Sequence, residues 1–76
     1  MEIKNLQTFI KIVEFNNFTR AAESLGYSQA AVTAQIKALE SELGVPLFDR
    51  IGKKIYLTHE GETFLPHAKK IINAIV

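Results

Sequence analysis

The sequence has no cysteine and no tryptophan, only two prolines and four glycines, and a net charge of just +1. Without cysteine there is neither a disulfide nor a thiolate metal site. The two histidines, His59 and His67, lie eight positions apart with no third ligand nearby, so no metal is expected. The lack of thiols is compatible with any compartment. No apolar run is long enough to cross a bilayer, and no membrane partner is expected. Glu2, Lys4, Asn5, Gln7, Thr8 and Lys11 break up the stretch from Met1 to Val13, so it does not read as a signal peptide. There is no glycine-rich loop to cradle a phosphate. Nor do a nucleophile, a base and an orienting group stand at usable spacing, so neither an enzyme nor a cofactor is expected. The near-zero charge also removes bulk basicity as a pointer to nucleic acid.

What is present is strong periodicity. Seventy-six residues make one domain, of a size whose single core supplies only about 3–5 kcal/mol. Ile3, Leu6, Phe9, Ile10 and Val13 recur at threes and fours, which predicts a helix over 3–15. Asn16-Asn17 interrupts it, and Asn17 is a suitable N-cap for a second helix carrying Phe18, Ala21, Ala22 and Leu25. Gly26 ends that helix, because glycine adopts the left-handed backbone of a tight helix exit. Ser28 caps a third helix, with Val32, Ile36, Leu39 and Leu43 on its apolar face, and Gly44 and Pro46 terminate it. Two extended pieces, Leu47 to Arg50 and Lys54 to Leu57, then flank Gly52 as a β-hairpin. Thr58 caps a last helix with Phe64, Leu65, Ala68, Ile71, Ile72 and Ile75 on one side and Pro66 inside.

This order reads as a mainly α, winged helix-turn-helix plan: a three-helix core, a two-stranded wing and a long C-terminal helix. Residues 1–57 form the winged domain, with the helix-turn-helix at 18–37 and the wing at 47–57, and residues 58–76 form a linker helix. Leu25, Tyr27, Val32 and Ile36 fall where two helices meeting at a sharp angle need apolar contacts, and Ala22 permits their close approach.

If Val32, Ile36, Leu39 and Leu43 face inward, then Ala30, Thr33, Ala34, Lys37 and Ser41 face out, with Gln29 on the exposed first turn. That surface suits a major groove. Glutamine pairs bidentately with adenine, threonine offers a hydroxyl and a methyl, and alanines leave room for thymine methyls. Helix amides near Asn17 and Ser28 can hold phosphates, and Arg20 and Lys37 add further contacts. Arg50, Lys53 and Lys54 around Gly52 resemble a wing lying on the backbone or in the minor groove.

Taken singly, each feature has a plainer reading. Residues 28–43 could form an ordinary solvated helix, Ala30 and Ala34 could be mere helix formers, and the basic hairpin could guard an edge strand. The aromatics Phe9, Phe18, Phe48 and Phe64 read as core rather than as platforms for bases. Ile71, Ile72, Ile75 and Val76 exceed what a three-helix core covers, which marks an interface.

The runs FTRAAESLGYSQAAVTAQIKALESELGVPLFDR and LTHEGETFLPHAKKI resemble, over essentially the whole chain, the N-terminal DNA-binding domain of LysR-type transcriptional regulators. The resemblance is carried by Ala21-Ala22, Ser28-Gln29, Leu39-Glu40, Leu47 to Arg50 and Leu57 to Gly61. It implies that Gln29 and Thr33 read bases, that Ser28 and Arg20 anchor phosphates, and that Arg50 and Lys53 serve the wing. Ala30 stands where the family usually has proline and Ala34 where it has arginine, departures that imply a different target sequence.

The resemblance further implies a homodimer on a pseudo-palindromic double-stranded operator. Phe64, Leu65, Ala68, Ile71, Ile72 and Ile75 would then face the partner. The chain is expected to be a fragment, with a small-molecule effector acting only through an absent C-terminal domain, and to reside in the cytoplasm. A winged-helix protein-interaction module without DNA binding is the alternative.

Overall fold

The apolar spacing of the first segment does form a helix, α1 (Ile3–Phe15), with Leu6, Phe9 and Ile12 buried along one face. The computed structural model describes residues 1–75. After α1 come α2 (Phe18–Leu25), α3 (Gln29–Leu43), the strands β1 (Phe48–Ile51) and β2 (Lys54–Leu57), and α4 (His59–Ile75). α1 is the central element, since α2, α3 and α4 each pack against it. Its buried face also carries Thr8, whose hydroxyl donates to Gln35 Oε1 at 2.6 Å and ties α1 to α3.

The three side-chain caps read from the sequence are in place. Asn17 Oδ1 accepts from the Arg20 amide at 2.9 Å, Ser28 Oγ from Ala31 at 3.1 Å, and Thr58 Oγ1 from Gly61 at 2.9 Å. Gly26 takes φ +75° between α2 and α3, where a side chain would be strained. Ala22 is buried at the α2–α3 junction together with Val32, Ile36 and Leu39. Tyr27 departs from expectation: its amide closes the turn on the Ala22 carbonyl at 3.0 Å, and its side chain is 39% exposed. The turn directs it outward.

The wing also differs at its root. Leu47 was expected to open the first strand, but its amide donates to Glu40 Oε2 at 2.7 Å and its carbonyl accepts from the Thr58 amide at 3.0 Å. With both backbone groups engaged by side chain and backbone outside the ribbon, pairing starts at Phe48 and extends to Ile51. The strands are antiparallel, with Phe48 opposite Leu57 and Arg50 opposite Ile55. Only Gly52 and Lys53 join them, and of the two only Gly52 has a positive φ, 63°, as a two-residue turn of the II′ kind requires.

α4 returns over the core. Ala68 is fully buried within this one chain, and Phe64 packs its ring 5.7 Å from that of Phe9. Ala68 therefore has no surface left for a partner, contrary to the sequence expectation. The apolar stripe of α4 is wide enough to serve the monomer's own core first. Leu65 and Ile72 are half-buried on that core, whereas Ile71 and Ile75 stay exposed at 39% and 56%. Val76, grouped with them in the sequence reading, lies outside the described residues.

Gly61 sits where α4 crosses the wing's root. A Cβ there would run into the Leu47 carbonyl oxygen and come within 2.8 Å of Leu57 Cδ2. Replacing a helical glycine with alanine ordinarily stabilises by about 0.5–1 kcal/mol. Here the sign reverses: Gly61→Ala is expected to destabilise by about 1–3 kcal/mol, seen as a lower urea midpoint with an unchanged m-value.

Candidate nucleic-acid interface

The outward face of α3 follows from its buried face. With Val32, Ile36 and Leu39 inside, Gln29, Ala30, Thr33, Ala34 and Lys37 line one shallow, open surface. Gln29, Ala30, Ala34 and Lys37 are exposed, while Thr33 is half-buried. The first turn of α3 has no intrahelical partner for its leading amides, and only Ala31 is capped by Ser28. Ser28 uses its oxygen as an acceptor there, and its hydroxyl proton remains free to donate.

The wing is brought against this surface. Arg50 and Ile55 are cross-strand partners and so project from the same face of the ribbon, and Ile55 is buried. Arg50 is thus turned toward the helices, with its guanidinium carbon 4.6 Å from the centroid of the Phe18 ring. A cleft between α3 and the wing is lined by Phe18, Gln29, Thr33, Lys37, Glu40 and Arg50. An adjoining hollow joins Asn17, Thr19, Gln29, Arg50 and Lys53, where the N-terminus of α2 meets the turn of the wing. Gln29 is common to all three surfaces and lies at their centre.

Not every predicted residue converges. Lys54 pairs with Ile51 and, by strand alternation, projects from the opposite face of the ribbon to Arg50. Arg20 lies outside these hollows, on the exposed side of α2, with its guanidinium 5.3 Å from the Phe15 ring. Among the described residues, the ion pairs join the Met1 amine to Glu42, Lys4 to Glu2 and Lys11 to Glu14. Arg20, Lys37, Arg50, Lys53 and Lys54 take part in none. None of the five lies within ion-pair distance of a carboxylate among the described residues, although Glu40 lines the same cleft and the whole chain carries only +1.

Two residues gain roles that the sequence reading did not give them. Phe18, taken as core, also forms the shelf under Arg50. Glu40 fastens the wing to α3 through the Leu47 amide. A signal for Glu40 was present, because it falls on the stripe of Thr33 and Lys37, where a free carboxylate would oppose an anion. Its hydrogen bond turns that charge to structural use. No group of three or more metal-ligating side chains exists among the described residues. Likewise, no described helix is long and apolar enough to cross a membrane.

Helices meeting at a glycine turn, with a basic two-stranded ribbon folded beside the second of them, define a winged helix-turn-helix protein. Its sequence belongs to the lysR family of bacterial regulatory helix-turn-helix proteins, whose pattern matches residues 3–62. The chain is 54% identical over 72 residues to YwqM, an uncharacterized HTH-type transcriptional regulator of Bacillus subtilis (strain 168), covering 95% of this chain and 25% of that protein. Its fold is similar to the CbnR DBD in a DNA complex, with TM-score 0.93 and 40% identity over 99% of this chain and 86% of the other. It is similar also to the BenM DBD bound to catB site 1 DNA, with TM-score 0.92 and 36% identity over 99% and 84% of the two chains. The chain spans about a quarter of the length of curated relatives such as YwqM and CitR.

Proposed function

We propose that this domain binds double-stranded DNA sequence-specifically, as the DNA-reading part of a transcriptional regulator. The observation that carries the reading is the convergence of Gln29, Thr33, Lys37, Arg50 and Lys53 on one open face whose cations form no ion pairs among the described residues. Similarity to two domains solved with DNA supports it.

In this reading α3 enters the major groove, which is about 12 Å wide and admits a helix. Gln29 pairs with an adenine edge, Thr33 contacts a neighbouring base, and Ala30 and Ala34 leave space for thymine methyls. The amide-rich starts of α2 and α3, with Ser28 and Arg20, hold phosphates and fix the register. Arg50 and Lys53 follow the backbone or reach into the minor groove.

Two copies joined along α4, chiefly through exposed Ile71 and Ile75 with the rims of Leu65 and Ile72, place two recognition helices on a pseudo-palindromic site. The half-sites then lie roughly 34–36 Å, or a multiple, apart. A small-molecule effector acts through the part of the relatives that this chain does not span, and the protein works in the cytoplasm.

Fluorescence anisotropy with duplexes selected from a random pool tests the reading. Gln29→Ala is expected to narrow the gap between selected and scrambled duplex by about 1–3 kcal/mol, roughly 5- to 150-fold, while leaving scrambled-duplex binding almost unchanged. A chain that retains a protein partner but no duplex at any salt would overturn it.

A further inference from the structure

Two arginines of the proposed DNA-facing side rest on aromatic rings, and those rings flank a single corner of the chain. Phe15 closes α1 and Phe18 opens α2, with left-handed Asn16 and the cap Asn17 between them. Arg20 lies 5.3 Å from the Phe15 centroid and Arg50 4.6 Å from that of Phe18. Both distances fall inside the ~6 Å range over which a ring face attracts a guanidinium.

The nature of the partner matters. A carboxylate holding these arginines would neutralise their charge and take up their N–H groups. A ring face carries no net charge and no carboxylate oxygens, so it neither neutralises the guanidinium nor takes up its N–H groups as an ion pair would. A side chain held against a ring before DNA arrives would lose less rotamer freedom on binding. Neither arginine has an ion-pair partner among the described residues.

The Phe18 shelf is itself rigidly held. It is only 8% exposed, and its ring stands edge-on to Phe48 at 5.5 Å; Phe48 in turn packs on Phe9. Phe15 is only half-buried, so its shelf is the looser of the two.

We propose that Phe18 and Phe15 are positioning residues, aromatic shelves that hold Arg50 and Arg20 in place with their N–H groups unpaired by any carboxylate among the described residues, ready to meet DNA. The proposal rests on the DNA-binding reading given above. Double-mutant cycles on the whole chain separate the two ideas. Phe18→Leu is expected to weaken duplex binding about two- to fivefold per protomer, and to cost nothing further once Arg50→Ala is present. Phe15→Leu is expected to behave in the same way toward Arg20→Ala, and Phe18→Tyr, which keeps a ring face, to retain affinity.

Circular dichroism at the assay temperature establishes that each variant is folded. Should Phe18→Leu fail to fold, the cycle of Phe15 with Arg20 decides the matter. Equal losses in the wild-type and arginine-free backgrounds, or no loss, overturn the shelves and leave DNA binding intact. Absence of duplex binding by the unaltered chain overturns both.

Discussion

Raising the salt concentration from 50 to 200 mM is expected to weaken duplex binding by about 10³- to 10⁵-fold, the loss that accompanies neutralisation of roughly six to ten phosphates. The estimate follows from placement, because a net charge of +1 by itself predicts little affinity for a polyanion. Arg20, Lys37, Arg50 and Lys53 are free of ion pairs among the described residues, and the proposed dimer would bring about eight such cations to the DNA, within that range. Lys53, in the two-residue turn beside the α2 N-terminus, is expected to reduce the slope of log affinity against log salt by about 0.9 per protomer when replaced with alanine. Lys54→Ala is expected to change the slope far less, because strand alternation sends it from the other face of the ribbon. Anisotropy titrations across four or five salt concentrations read both slopes. Equal flattening by the two substitutions would mean that the ribbon meets DNA differently, and salt-independent binding would remove phosphate contact from the account altogether.

The contrast between Lys53 and Lys54 marks the boundary of what the sequence discloses. Asn17, Gly26, Ser28 and Thr58 were legible because capping and left-handed turns are settled within three or four residues of chain. The outward residues of α3 were legible for a related reason: a helix with a fixed inward stripe has a fixed outward one. The ribbon is different. Which of its faces meets the helices depends on Phe48 and Ile55 finding the core, a tertiary fact that a run of charges around glycine does not contain.

The tie from Glu40 to the Leu47 amide and the placing of Arg50 on Phe18 likewise join residues distant in sequence by contacts that no local pattern encodes. Ala68 shows the limit of periodicity. An apolar stripe states that something covers it, and only the packing of α4 on α1 reveals that the chain's own core does so at that position.

Phe9→Ala is expected to abolish cooperative folding of the isolated domain. Phe9 is fully buried on the central helix, and its ring lies 5.5 Å from Phe48 and 5.7 Å from Phe64. It thereby joins α1 to both the wing and α4. Truncating a buried phenylalanine typically costs about 3–5 kcal/mol, the transfer free energy of the ring plus the cavity it leaves. A domain of this size has about 3–5 kcal/mol in total, with no disulfide or metal to offset the loss. The cavity would also open at a junction of three elements, where collapse of one neighbour pulls on the others, so relaxation recovers little.

Urea denaturation followed by circular dichroism should show a sigmoid for the parent chain and none for the variant. Phe9→Leu, which refills most of the volume, should keep a transition at lower midpoint. The proposed dimer supplies a further check: if two copies join along α4, partner binding stabilises by mass action and would restore a transition to Phe9→Ala at high protein concentration. The file of rings runs from Phe64 through Phe9 and Phe48 to Phe18, and ends beneath the Arg50 guanidinium. The Phe9→Leu variant should therefore lose some duplex affinity under conditions where it is still folded, because loosening the middle of that file loosens the arginine at its end.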